Sequence, residues 1–320
     1  MPLERVIVIG GGAWGTALAQ AAATAGRQVT IVARDAAVVD EINTRHTNSV
    51  HLAAQGLDAT IRASTSYAGD ADLVILAVPA QASRVALRDL PLAAVPVVLT
   101  AKGLEQGSLK RQSEVLAEAS PGAIPYVLSG PSFAADVAAG RPTAVTLAGD
   151  DDAATEAIAS ALAGPGFRPY AAGDRIGVEL AGALKNVYAL AAGAVDGARL
   201  GASARAALIA RAFAELSRLL PAFGGRPDTL TGLAGLGDLT LSCTSEQSRN
   251  YRHGAALGRG EPQPASLAEG VFTAPVAQSL ARQAGIDAPL IDAVNLLLSG
   301  NVTITTIVAG LMSRPLKRED

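Results

Sequence analysis

The sequence predicts an α/β chain in which a doubly wound parallel sheet is followed by an all-helical C-terminal domain. Three observations carry that prediction. The apolar run Val6–Ile9 passes directly into Gly10-Gly11-Gly12-Ala13-Trp14-Gly15 and then Thr16-Ala17-Leu18-Ala19, writing a buried strand, a glycine turn and a small-residue helix in succession. Strand-like runs then alternate with helical stretches, the pattern that builds a parallel sheet covered on both faces. From about Gly173 onward β-type alternation largely disappears and helical periodicity takes over.

In the first unit, strands are expected at Val6–Ile9, Val29–Ala33, Leu73–Val78, Val97–Ala101, Tyr126–Ser129 and Ala144–Ala148, with helices between most of them. Gly10, Gly12 and Gly15 have the G-x-G-x-x-G spacing of a dinucleotide site. The first glycine permits the tight turn, the second lets backbone approach a pyrophosphate, and the third lets helix pack closely on strand. Phosphates would meet the open N–H groups and positive dipole end of the following helix. Residues 1–174 are thus expected to form a Rossmann-like dinucleotide-binding domain. The second strand ends in Arg34, whose guanidinium suits a 2′-phosphate, so NADPH is the first choice of cofactor. Asp35, one position on, could grip a ribose diol and keeps NADH open. Arg34 could also be a solvated charge at a strand end.

The second unit, residues 175–320, reads as a helical substrate-binding and catalytic domain. Helices are expected at Val178–Ala198, Ala202–Phe223, Pro275–Ala284, Leu290–Leu298 and Thr303–Leu311, with Glu261–Pro264 an exposed loop. The first of these should lie against the carboxyl ends of the strands, where open α/β sheets bind ligands.

A chain of 320 residues can hold two domains, and 26 Lys+Arg against 29 Asp+Glu without a run of either sign marks no nucleic-acid or polybasic membrane surface. Small molecules are the expected partners, and no metal is called for. Met1–Arg5 leads straight into the first strand and leaves no room for a secretory signal. The apolar run Val187–Val195 is too short to cross a bilayer. The single cysteine, Cys243, can form no internal disulfide and reads as a small buried side chain. These features predict a cytoplasmic protein. Ala-rich helices could pair between subunits or pack internally, so a homo-oligomer stays open.

Lys185 and Asn186 interrupt an otherwise apolar, small-residue helix. Burial disfavours an ammonium, so Lys185 is expected to titrate in a range useful for passing protons, unless its stem snorkels to water. Lys102 follows the strand at 97–101 and puts a second positive charge at a carboxyl end of the sheet. Ser129-Gly130-Pro131-Ser132 repeats the strand-turn-helix arrangement, with Ser132 able to cap the helix or bind an oxyanion. Gly237-Asp238-Leu239 and Ser248-Arg249-Asn250 fall in a polar interruption of the helical domain. The second cluster suits phosphate oxygens, although a surface loop would look similar.

Taken together, these residues resemble the bacterial NAD(P)-dependent glycerol-3-phosphate dehydrogenase family. The matching segments are Gly10-x-Gly12-Ala13-Trp14-Gly15-Thr16-Ala17, Ala77-Val78-Pro79-x-Gln81, Lys102-Gly103, Ser129–Ala134, Leu184–Val187, Gly237-Asp238-Leu239-x-Leu241-Ser242-Cys243, Ser248-Arg249-Asn250 and Glu269-Gly270. The resemblance implies reversible reduction of dihydroxyacetone phosphate to sn-glycerol 3-phosphate, a glycerophospholipid precursor. It implies Lys185 as catalytic acid and base, with Lys102, Gly130, Ser132, Asp238, Ser248, Arg249 and Asn250 in the substrate pocket. For the cofactor it implies Trp14, Arg34, Lys102, Ala134 and Arg249, with Leu267 and Glu269 closing over the nicotinamide end. Asp238 is expected to orient Lys185 or a substrate hydroxyl.

One segment departs from the family pattern. Where relatives carry a Tyr-Leu-Pro-Gly turn, this chain reads Val50-His51-Leu52-Ala53-Ala54, so no contact is carried over from that loop. His51, His46 and His253 are expected to be solvated loop histidines. Two rival readings remain: a β-hydroxyacid dehydrogenase or ketopantoate reductase, and a nucleotide-sensing regulator without turnover. If Arg34 reads the 2′-phosphate, Arg34→Ala raises the KM for NADPH far more than for NADH in steady-state assays. Equal effects would remove Arg34 from cofactor recognition.

Overall fold

A computed structural model of the chain describes residues 3–53, 55–67, 69–88 and 90–313; Ala54 of the divergent segment lies outside them. An eight-stranded sheet runs in the order β3-β2-β1-β4-β5-β6-β7-β8. The strands are β1 (Arg5–Ile9), β2 (Gln28–Val32), β3 (Arg62–Ser64), β4 (Leu73–Leu76), β5 (Pro96–Leu99), β6 (Ile124–Ser129), β7 (Thr143–Ala148) and β8 (Phe167–Ala172). In register, Val6 faces Val29 on one side and Leu73 on the other, which makes β1 central to the sheet. All pairings are parallel except β6 with β7. Residues 6–9 of β1 and all of β4 are buried, as expected of parallel strands covered on both faces.

The chain order reverses at β1, between β2 and β4, so the carboxyl ends of β1 and β4 open a crevice where such sheets take ligands. The glycine turn leaves β1 at that point and the helix Ala13–Thr24 begins there.

Two strands escaped the sequence reading. Arg62-Ala63-Ser64 has no apolar run because β3 sits at the sheet edge. At the opposite edge, Phe-Arg-Pro-Tyr-Ala-Ala in β8 alternates buried and exposed residues, and an edge strand tolerates Pro169. Two expected strands also end early. Those predicted through Val78 and Ala101 stop at Leu76 and Leu99, leaving Pro79 and Lys102 in the loops above the sheet.

The helical unit is built round one central helix, Arg175–Gly197, in which every residue from Gly177 to Val195 is buried. Asp174 caps its start by accepting from the Gly177 N–H at 2.9 Å. This helix has the length and mean hydropathy of a membrane span, longer than the Val187–Val195 run suggests, but it is wholly enclosed by protein. Its neighbours include Ala202–Ala222, Asp238–Thr244, Arg249–Arg259, Glu269–Gln283 and Pro289–Leu298. Glu215 ties three of these elements together. Its buried carboxylate accepts from the N–H groups of Leu290 and Ile291 at 3.0 and 3.2 Å, capping the helix Pro289–Leu298, and from the Tyr188 hydroxyl at 3.2 Å. Burial pushes its carboxyl above the usual range against the pull of these donors.

The Ser248-Arg249-Asn250 cluster, expected in a polar interruption, instead opens the helix Arg249–Arg259, whose first turn is polar because it faces a cavity. This helix lies backbone to backbone on the central helix through two glycine pairs, Gly193 and Gly197 against Gly254 and Gly258. A Cβ at any of the four would overlap a carbonyl of the opposite helix: Tyr251, Ala255, Leu190 and Ala194, respectively. Elsewhere in a helix, glycine is about 1 kcal/mol worse than alanine. Close packing reverses that sign here, since an inserted methyl must push the helices apart at a cost of about 1–3 kcal/mol or more. Gly254→Ala is therefore expected to lower the melting temperature by several degrees, whereas a rise would show that the helices can separate without loss.

Candidate functional site

Each glycine of the turn meets a different constraint. Gly10 has φ +121°, and a Cβ there would lie 2.5 Å from the Ala77 carbonyl oxygen on the neighbouring strand's exit. At Gly15 a Cβ would overlap the Gly10 carbonyl, so this glycine serves the close fit of helix on turn. Gly12 is different: nothing lies within 4 Å of its missing Cβ. Packing does not require a glycine there, and the open space is what close approach of a pyrophosphate needs. Gly12 is the N-cap of Ala13–Thr24 and has no side chain to satisfy the first N–H groups.

That open face belongs to a cavity of about 660 Å³. Gly12, Ala13, Trp14, Pro79, Ser132 and Ala134 line it from the sheet side. Lys102 also reaches it from the sheet side, while Lys185, Ser248, Arg249, Asn250, Leu267 and Glu269 line it from the other. Its size is in the range of ligand pockets and it lies where the two sets of elements meet.

On its floor one carboxylate holds two lysines. Lys185, 7 % exposed, donates from Nζ to Asp238 Oδ1 at 2.8 Å and to Ser242 Oγ at 2.5 Å. Lys102 Nζ donates to Asp238 Oδ2 at 2.6 Å and to the Gly130 carbonyl at 2.9 Å. Asp238 is 1 % exposed, and burial alone would raise its pKa; the two ammonium groups outweigh burial and hold it below the usual range. Lys102 moves the other way. Burial, assisted by the positive charge of Lys185, lowers it to about 8 against the pull of Asp238. The Lys185 ammonium, expected from the sequence to be buried, is paired with Asp238 and does not snorkel.

A second chain of hydrogen bonds joins the elements around the lysines. Asn186 Nδ2 donates to the Lys102 carbonyl at 2.7 Å, and its Oδ1 accepts from Asn250 Nδ2 at 2.8 Å. Asn250 Oδ1 in turn accepts from the Gly270 N–H at 2.9 Å. Glu269 Oε1 accepts from the Ala80 N–H at 2.9 Å, linking the helical unit to the loop after β4, while Oε2 has no partner among the described residues. Burial raises its carboxyl. Ser248 caps the helix Arg249–Arg259 through the Tyr251 N–H at 3.3 Å. Arg249, at the same helix start, is exposed to the cavity and makes no hydrogen bond with a described residue.

Several expectations change. Ser132 is not a helix cap: the helix Ala134–Ala138 starts after Phe133, and the Ser132 hydroxyl donates to the Gly130 carbonyl at 3.0 Å. Asp35 caps the helix Ala36–Arg45, its Oδ1 accepting from the Ala37 N–H at 2.9 Å, and the residue is otherwise exposed. Arg34 is exposed just beyond β2, is not among the residues that line the cavity, and has no partner among the described residues. His253 is not a solvated loop residue; it is buried in a helix with Nε2 2.5 Å from the Ser266 carbonyl. His46 ends a helix in the left-handed region and is half-buried. His51 is exposed, as expected, but in a short helix, Ser49–Leu52, on the cavity wall. Cys243 is fully buried and its thiol is pushed up to about 12 by burial, consistent with a packing role. Glu269 starts its helix, six residues before the start predicted at Pro275.

Sequence reasoning gave no site role to Asn186, Ser242, Gln247 or Arg252, all of which line the cavity. For Ser242 a signal existed, since it follows Asp238 by one helical turn and shares its face.

Residues 5–155 match the model of the NAD-dependent glycerol-3-phosphate dehydrogenase N-terminus, and residues 174–309 that of its C-terminus. The chain belongs to the NAD-dependent glycerol-3-phosphate dehydrogenase family. It is 52 % identical over 330 residues to glycerol-3-phosphate dehydrogenase [NAD(P)+] of Caulobacter vibrioides, covering 100 % of both chains. Among solved structures it is similar to glycerol-3-phosphate dehydrogenase of Coxiella burnetii, at 36 % identity and a TM-score of 0.92, covering 98 % of this chain and 100 % of the other. A probable 2-dehydropantoate 2-reductase of Bacillus subtilis shares the fold alone, at 15 % identity, a TM-score of 0.59 and coverage of 92 % and 99 %. Family membership and the cavity together make NADPH or NADH the cofactor of this oxidoreductase.

The Lys102 ammonium is present below its pKa and lost above it. Turnover that depends on that charge is expected to fall as pH rises through about 8. Asp238→Asn removes the carboxylate that raises Lys102, so the fall moves to lower pH in a pH-rate profile. An unmoved limb would show that another group sets it.

Proposed function

We propose that the chain catalyses the reversible NAD(P)H-dependent reduction of dihydroxyacetone phosphate to sn-glycerol 3-phosphate in the cytoplasm, with Lys185 as proton donor and acceptor. The observation that carries this reading is the pair of lysines on one buried carboxylate, facing the cavity into which the glycine turn opens. The turn fits a dinucleotide: Gly12 leaves room, and the helix start beside it offers unsatisfied N–H groups. Gly10, Gly12, Ala13, Trp14 and Gly15 would hold the cofactor with Ala134, Lys102, Arg249, Leu267 and Glu269. NADPH remains the first choice through Arg34. When bound, the dinucleotide supplies the hydride that goes to the carbonyl carbon.

The protein's own residues do the rest. Lys185, fixed by Asp238 and Ser242, gives a proton to the carbonyl oxygen and takes one back in the reverse direction. Asp238 keeps that ammonium oriented instead of exchanging the proton itself. Lys102 adds positive potential where the oxygen becomes negative, and a charge already held in place needs no reorganisation. Arg249 at its helix start, beside Ser248 and Asn250, offers donors to the phosphate, and binding energy there orients the ketone. Gly130 and Ser132 complete the pocket. Residues 1–174 are read as the dinucleotide-binding domain and 175–320 as the helical substrate-binding and catalytic domain, with Lys102, Gly130 and Ser132 reaching the substrate from the first and Arg249, Leu267 and Glu269 reaching the cofactor from the second.

The test is a spectrophotometric assay with both cofactors. Dihydroxyacetone phosphate should be reduced and unphosphorylated keto acids should not; the reverse preference would favour a ketopantoate-reductase type of activity. Lys185→Ala should bind NADPH and fail to oxidise it, while full turnover would remove Lys185 from proton transfer. A wild-type chain that binds NADPH and turns over nothing would favour the sensing role.

A further inference from the structure

Asn48 is fully buried, and neither the glycine spacing nor the reaction accounts for it. Its Nδ2 donates to the Gly11 carbonyl at 2.9 Å, inside the glycine turn, and to Thr16 Oγ1 at 2.8 Å in the helix that follows. A carbonyl oxygen can only accept, so the amide must present its NH2 to the turn. Its Oδ1 has no partner among the described residues. Asn48 lies 37 residues beyond Gly11, and Glu41 secures its neighbours. Thr47 Oγ1 and the Ser49 N–H donate to Glu41 Oε1 at 2.7 and 2.8 Å, and Ser49 Oγ donates to Oε2 at 3.0 Å.

The peptide bond makes the Gly11 contact consequential. The Gly11–Gly12 peptide is planar and trans, so its C=O and N–H point in opposite directions. Drawing the Gly11 oxygen toward Asn48 therefore turns the Gly12 N–H the opposite way, and that N–H has no hydrogen-bond partner among the described residues. Without that tether the peptide of two flexible glycines can rotate and present a carbonyl, with its partial negative charge, to an anion.

We propose that Asn48 is a positioning residue for the dinucleotide: it locks the Gly11–Gly12 peptide with its N–H aimed at the pyrophosphate. The proposal rests on the reading of the glycine turn as the cofactor site. Trp14, the sole tryptophan, lines the cavity and reports binding by fluorescence.

The experiment titrates NADPH and NADH into wild type, Asn48→Ala, Asn48→Asp and Glu41→Gln, with calorimetry for ADP-ribose and adenosine 2′-monophosphate and a thermal melt of each variant. Loss of the tether in Asn48→Ala should weaken NADPH, NADH and ADP-ribose by a common factor of about tenfold. Asn48→Asp should weaken them further, since a carboxylate repels both the Gly11 oxygen and the pyrophosphate. Adenosine 2′-monophosphate affinity, kcat at saturating cofactor and KM for dihydroxyacetone phosphate should hold. Glu41→Gln, which loosens the segment carrying Asn48, should weaken the dinucleotides less than Asn48→Ala; unchanged dinucleotide affinity in Asn48→Ala, or equal loss for adenosine 2′-monophosphate, would overturn the proposal. Should the Asn48 variants not fold, Thr16→Val, which keeps the shape and removes one anchor of the amide, must weaken ADP-ribose binding or the proposal fails. A wild-type chain that binds none of the dinucleotides would sink the cofactor reading itself.

Discussion

One carboxylate, Asp238, is the constraint on which the site depends. Two ammonium groups and a carboxylate share a nearly dry space, and the net charge of that triad is positive. Removing one member of a buried ion pair typically costs about 3–5 kcal/mol, because the group left behind stays buried without its partner. The arrangement therefore holds both lysines at fixed positions. It also divides them electrostatically: the charge of Lys185, added to burial, lowers Lys102, while both hold Asp238 ionised. A substrate with an anionic end and a carbonyl meets positive potential along the cavity, from Arg249 to the lysine pair.

The fold supports the triad by bringing together four distant stretches of chain. Lys102 comes from the loop after β5, Gly130 from the end of β6, Lys185 from the middle of the central helix and Asp238 from the start of a later one. The central helix can supply a lysine to the cavity only because it is enclosed on all sides. The glycine pairs that let Arg249–Arg259 lie against it also fix the height at which Ser248, Arg249 and Asn250 reach the cavity. Helix packing and phosphate chemistry are thus one constraint. Small residues at the crossing set the distance between Lys185 and the donors opposite.

The glycine turn shows how local chemistry and distant contacts combine. The three glycines sit at a left-handed backbone, an open face and a close helix contact, matching the role assigned to each from spacing alone. The direction in which the turn aims its N–H groups is a separate matter. It involves an amide 37 residues further along the chain, just beyond the helix Ala36–Arg45.

Local rules make much of this molecule legible in its residues alone. Periodicity separates a sheet unit from a helical one, glycine spacing marks the turn, and a lysine in an apolar helix marks chemistry. What remained illegible was settled by contacts between residues far apart in the chain. Arg62–Ser64 and Phe167–Ala172 are strands because they complete sheet edges, and Asp35 serves a helix start because that helix begins beside it. Burial of Lys185 and an orienting role for Asp238 could be anticipated, but not that this one carboxylate, 53 residues away, also holds Lys102 and so makes two buried charges tolerable. The cost of burying a charge depends on what stands within a few ångströms of it, and only the tertiary structure decides that neighbour.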